Sequence, residues 1–282
     1  LPIGARPSLL TSVALAVSAA NAIVSASTLI AAGPLSITGT DILLGTIASD
    51  KDISIAATRK ITIDGDVGTL ASILLTGATA SFDILATGSL AAGKDITLDA
   101  GQGIFNAGAL TADRDVTLRG GIQVANTGQI AALAGTANVS GAALNLGGVL
   151  FAKNTLVLSS NQISISGIVG SDGSSDIASS TLEVGVGGIL QSNKKLKLTF
   201  SNAQIDGSII ALDALTLDGG SATISASGTV ASPNDQNILI SGSLSNAGSI
   251  SSNAKLGLTA NSVVNAGAIV AAGSLTIAAP SL

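Results

Sequence analysis

Cysteine, histidine, methionine, tryptophan and tyrosine are all missing from the 282 residues, and phenylalanine occurs only four times. Without cysteine there is neither a disulfide framework nor a thiolate metal site. With histidine and tyrosine also gone, acid–base chemistry would fall to carboxylates and lysines. Aromatic side chains supply much of the buried area of compact domains, so this interior must be filled by many Ile, Leu, Val and Ala from closely spaced backbones, as stacked repeats do. Basic residues are also scarce, 12 Lys and Arg against 17 Asp and Glu for a net charge of −5. No broad basic face exists to neutralise phosphates, and no nucleic-acid partner is expected.

Charge is absent altogether between residues 7 and 40. There SLLTSVALAVSAANAIVSAS, preceded by Arg6, has the outline of a signal peptide or membrane span. Ser, Thr and Asn interrupt it, and the alternation of Val13, Leu15 and Val17 predicts a strand instead.

What the chain has in abundance is one repeated phrase. GSLAAGKDITLDAGQGIFNAG at residues 88–108 is followed by GALTADRDVTLRGGIQVANTG at 108–128. Thirteen such repeats start at Ser27, Gly45, Gly68, Gly88, Gly108, Gly128, Gly148, Gly167, Gly188, Gly207, Gly228, Gly248 and Gly267. Two residues after each start stands an aliphatic, including Leu70, Leu90, Leu110, Ile130 and Leu150, and two further on an Ala or Ser. A second alternating pair follows a short turn, as in Ile96/Leu98, Val116/Leu118 and Leu196/Leu198.

Short runs of period two mean short strands with one buried face. An equivalent strand every twenty residues makes one coil per repeat. The expected fold is all-β, a right-handed parallel β-helix (β-solenoid) of about 14 coils of ~20 residues. Residues 1–26 are expected to form an irregular first coil and residues 27–282 a single elongated repeat domain. Gly at each start is expected to let the backbone bend. Asn106, Asn126, Asn246 and Asn265 are expected to take left-handed turn geometry and to bond their amides to the coil above.

Fifteen of the charged residues, among them Asp50, Lys51, Asp52, Lys94, Asp95, Arg114, Lys153, Asp172 and Lys255, fall in the turn between the first two strands. Eight are acidic and seven basic, which suits a stripe that keeps the coils soluble and blocks lateral sheet pairing.

The repeats GSLAAGKDITLDA, GALTADRDVTLRG, GSISSNAKLGLTANSVVNAG and GAIVAAGSLTIAA, with their Asn-x-Gly endings, resemble the filamentous haemagglutinin repeats of bacterial two-partner secretion exoproteins. LLGTIASDKDISIAATRKITIDG is similar to that family's less Asn-rich repeat, and the resemblance runs from about residue 27 to the end. It implies a surface-exposed shaft, exported through an outer-membrane two-partner transporter, in an adhesin or a contact-dependent inhibition stalk. The family's amino-terminal secretion domain is not recognisable, so the chain is expected to be an interior section of something longer.

Sites of chemistry are not expected. The carboxylate pairs Asp64/Asp66, Asp113/Asp115 and Asp50/Asp52 lack converging partners and read as solvated turn residues. GSDGSSD at 170–176 could lend Asp172 and Asp176 to calcium, but a polar turn explains it as well. An ice-binding threonine array, Thr97, Thr117, Thr216 and Thr276, is broken by Ala137, Val157, Lys197 and Gly257. No catalytic, cofactor-binding or metal residue is therefore expected, and no cofactor or small-molecule substrate.

The function these features suggest is a non-enzymatic structural shaft of a secreted or cell-surface adhesin-like exoprotein, presenting a tip or effector domain to a host-cell or bacterial-cell receptor. Two alternatives stand beside it: a glycan- or protein-binding face on the shaft itself, and a filament subunit self-associating head to tail. A pure shaft predicts that most of Phe82, Phe105, Phe151 and Phe200 point inward, and that no outer patch combines charge, hydrogen-bonding groups and an apolar platform.

Overall fold

The computed structural model describes residues 9–11, 13–25 and 28–281. Among them every regular element is a β-strand, and all the strand pairs are parallel, as in Leu90↔Leu110 and Leu196↔Leu215. The chain packs as two compact units, Leu1–Ala142 and Ala143–Leu282. Each unit is a β-solenoid, with parallel strands stacked in turns of roughly twenty residues.

In the first unit the short strands Leu9–Thr11, Leu29–Ala31, Ile47–Ser49, Asp66–Thr69, Ser89–Ala92, Ala109–Ala112 and Gln129–Ala132 pair each with the next. The first of these lies within the expected irregular coil at 1–26, while Ser27, the first repeat start, lies outside the described residues. In the second unit the corresponding series is Val149–Ala152, Ile168–Ser171, Ile189–Ser192, Ser208–Ala211, Thr229–Ser232, Ser249–Ser252 and Ala268–Ala271.

Sequence periodicity reveals two flanks per coil, and the structure adds a third. Strands such as Val116–Asn126 and Leu156–Ile165 carry two inward pairs separated by a bend, Leu156 and Leu158 before it and Ile163 and Ile165 after it. Elsewhere the bend breaks the strand in two, giving Ile96–Ala100 and Gly103–Asn106, both of which pair with Val116–Asn126. The third flank escapes sequence reading because Ser160, Asn161 and Gln162 at the bend break the alternation with an outward run.

Inside, aliphatics of one rank lie over one another. Leu90, Leu110 and Ile130 stand in register in the first unit, as do Val169, Leu190, Ile209 and Val230 in the second, and all are buried. Burial of this kind contributes about 25 cal/mol per Å² of apolar surface and is the main stabilising force.

One repeat is misaligned by its own sequence. Gly68-x-Leu70-x-Ser72 fits the phrase, but Leu70 is 73% exposed, and it is Val67 that stands between Ile47 and Leu90 with Thr69 in the small inward position. Two phrases three residues apart compete, and hydrogen bonding to the coils on either side selects the earlier. Val13 likewise stands outside the first alternating strand, at 67% exposure. That strand begins at Leu15, whose N–H donates to Pro34 O at 3.0 Å.

Repeat-start glycines such as Gly88, Gly108 and Gly128 are required for proximity rather than for bending, whereas Gly68 has room for a Cβ. A Cβ on Gly108 would stand 2.0 Å from Gly88 O, and one on Gly128 2.1 Å from Gly108 O. These same carbonyls accept the N–H groups of Ala109 and Gln129 in the next coil. Only Gly187, with φ at 80°, is recorded in the left-handed region among the described glycines.

Candidate functional site

The charged turns lie where the sequence places them, between the first and second strands, and are largely exposed. Their work proves more specific than solubility. Asp52 accepts the Ser72 N–H at 3.0 Å, Asp95 the Asp115 N–H at 3.3 Å, Asp115 the Thr136 N–H at 2.7 Å and Asp235 the Lys255 N–H at 3.3 Å. Each carboxylate satisfies a turn amide one coil further along, an accounting that buried or turning backbone must meet somewhere.

Ion pairs also join neighbouring coils. Arg114 Nη2 reaches Asp95 at 2.6 Å and Lys153 Nζ reaches Asp172 at 2.6 Å, while Arg59 clasps Asp41 on another edge. Hydrogen bonds from Arg114 hold the Asp95 carboxyl below its ordinary value, and those from Arg59 do the same for Asp41.

The carboxylate pairs remain dispersed. Asp64 and Asp66 accept hydroxyl hydrogens from Thr87 at 2.5 Å and Ser89 at 2.6 Å. Asp50 and Asp113 are exposed beside the coil-linking Asp52 and Asp115. In GSDGSSD the serines turn inward: Ser171 Oγ lies 2.9 Å from Ser175 Oγ and donates to Gly173 O, to which Ser192 also donates at 2.7 Å. Asp172 is held by Lys153 and by Asn193 Nδ2 at 2.8 Å, whereas Asp176 is exposed on the next strand, in register with Lys197. Among the described residues no group of three or more acidic side chains is placed to hold a metal ion, and no helix is long and apolar enough to cross a membrane.

Thr97 and Thr117 are neighbours in register, but Thr97 is also flanked by Leu74, and Thr216 lies between Lys197 and Asn237. Ala137, expected outside, is buried; Asn138 takes the outward position there because the inward pair is Ala137 and Val139.

The asparagines form amide ladders at strand ends. Asn106 Nδ2 donates to Asn126 Oδ1 at 2.7 Å, and Asn246 Nδ2 to Asn265 Oδ1 at 2.7 Å. The bond to the coil above is as expected, but these residues close extended strands rather than adopting left-handed turns.

The phenylalanines depart from expectation. Phe82 and Phe200 are buried, Phe151 is half-buried at an outward position, and Phe105 is 39% exposed. Phe105 faces out because its strand turns Ile104 and Asn106 inward on either side of it. It lines a groove of about 440 Å³ with Asp83, Leu85, Ala107, Ala125 and Thr127. Asp83 in that lining is paired with Lys60 Nζ at 2.5 Å. Charge, hydroxyl and apolar platform thus meet on one outer surface of the first unit, contrary to the expectation for a featureless shaft. The signal was present in the alternation Ile104-Phe105-Asn106, but linking Phe105 to Lys60, forty-five residues earlier, requires the third flank.

A parallel β-solenoid with exposed coil-to-coil ion pairs and one aromatic groove is the class these features define. No family model matches the chain, and neither a curated protein nor a solved structure does.

Proposed function

We propose that the chain is a non-enzymatic structural shaft of a secreted or cell-surface adhesin-like exoprotein, which holds a tip or effector domain away from the cell. The observation that carries this reading is the uninterrupted parallel pairing of seven short strands in each unit, with buried aliphatic columns running from Leu29 to Ile130 and from Leu150 to Ile250. Each coil is joined to the next by backbone hydrogen bonds, reinforced at several coils by Asp or Asn links and ion pairs, so length is gained coil by coil without loss of order. Of the candidate carboxylates, Asp52, Asp64, Asp66, Asp115 and Asp172 bond to groups in a neighbouring coil. The likeness of the repeats to filamentous haemagglutinin adds export through an outer-membrane two-partner transporter.

The test changes length without changing surface chemistry. Deleting residues 109–128 joins Gly108 to Gln129, which already stands in register with Ala109. In the full-length surface-displayed protein, progressive removal of coils should weaken adhesion between cells while leaving the affinity of the purified tip unchanged. Adhesion independent of coil number would refute the shaft.

A second reading, recognition by the solenoid's own surface, is favoured by one observation, the exposed Phe105 beside the Asp83–Lys60 pair.

A further inference from the structure

We infer that the groove at Phe105 is a binding subsite for a neutral pyranose ring of a glycan chain. The platform is fixed before any ligand arrives. Phe105 leans over Gly103 so closely that its Cε2 lies 3.2 Å from where a Cβ on Gly103 would stand, and the Gln123 stem packs against the same spot at 3.3 Å. Glycine at 103 lets the ring lie along the sheet, and a pre-placed aromatic surface is presented with little ordering cost on binding. In the following coil the residue in register is Ala125, too short to cover the ring, and in the preceding coil it is Asp83. The cavity of about 440 Å³ is of the size that small ligands occupy.

The chemistry around the platform selects the occupant. An aromatic face is electron-rich and attracts the C–H face of a sugar ring, whose hydroxyls project at its edge. Asp83 lines that edge as an acceptor with its ion-pair partner Lys60 behind it as a donor, and the Thr127 hydroxyl, which donates to Asn106 O at 3.4 Å, keeps lone pairs free to accept. The charged pair is neutral as a unit. It therefore offers neither an acidic sugar nor a cationic ligand a net attraction that would offset the desolvation of the ligand's charge. An apolar peptide side chain would strip water from Asp83, Lys60 and Thr127 and return no hydrogen bond, which is costly. A neutral sugar satisfies both halves of the site.

This inference does not rest on the shaft reading, and its failure leaves that reading standing. The test uses the whole chain, with amide NMR shifts followed during titration with maltotriose, cellotriose and chitotriose to about 10 mM, a range in which one-platform sites register. At least one should saturate and shift the amides of Phe105, Ala125 and Thr127. Phe105→Ala should weaken that binding about tenfold or more, and Phe105→Trp should strengthen it. Ala125→Leu, placed at an outward position, should block it with the thermal midpoint unchanged, which guards against a folding defect in the first variant. Saturable shifts that survive both Phe105→Ala and Ala125→Leu would overturn the proposal. So would no shift with any of the three sugars, or binding of an apolar peptide in their place.

Discussion

Gln236 occupies a leucine's place. It stands in register between Leu215 and Leu256 on the inner side of the solenoid at 2% exposure, and neither its Oε1 nor its Nε2 has a hydrogen-bond partner. Each unsatisfied buried polar atom costs about 1–3 kcal/mol. Gln236→Leu removes two such atoms and adds apolar contact to its neighbours, at nearly constant volume. Stabilisation of about 2–4 kcal/mol is expected, the lower end applying if a buried water already serves the carboxamide. Repeat arrays open locally, so hydrogen exchange at the amides of Leu215–Ile224 and Leu256–Asn265 is the direct assay, with urea unfolding beside it. The reciprocal change, Leu98→Gln between buried Leu75 and Leu118, should cost a similar amount. If Gln236→Leu sped exchange in the flanking strands, or left it unaltered while Leu98→Gln was harmless, the account of the interior would be wrong.

Three further outcomes follow from the same geometry. Leu110→Asp places a charge between buried Leu90 and Ile130 and should cost upwards of about 4 kcal/mol, whereas Arg114→Ala, on the exposed turn, should scarcely move the urea midpoint; equal losses would invert the inside and outside faces. Gly108→Ala drives a methyl to within 2.0 Å of Gly88 O and should destabilise by about 2–3 kcal/mol, measured by thermal unfolding, with a neutral result disproving the proximity argument. The Asp95 carboxyl, depressed by Arg114, adds stability that is fully present above the unfolded carboxylate value of about 3.9 and is lost as pH falls through the lower folded value. The stability difference between the native chain and Arg114→Ala should therefore shrink in acid, and a gap that widened on acidification would contradict the assignment.

The sequence by itself determined which side chains share a side in most strands of the first two flanks, though not at Leu70 or Ala137. Alternation is a local property: Ile96 and Leu98, or Leu196 and Leu198, share a side because a strand turns every second residue the same way. The near-constant twenty-residue step determined that such strands would stack in parallel, and the run of charges between them determined the exposed turn. Register between coils is not local, and there the tertiary structure decided. Gly68-x-Leu70-x-Ser72 fits the repeated phrase better than Gly65-x-Val67-x-Thr69, yet the backbone ladder between Ile47 and Leu90 buries Val67 and leaves Leu70 in solvent. The same holds for the glycines, whose need for a bare Cα comes from a carbonyl twenty residues away, and for the Asp95 and Asp115 carboxylates, whose partners lie a coil further on. The Phe105 groove assembles Asp83, Phe105 and Thr127 from successive coils, with Lys60 of a further coil paired to Asp83. Residues so separated in the chain become neighbours only when each coil has settled against the last, because the spacing between strands, not the spacing along the chain, sets what they touch.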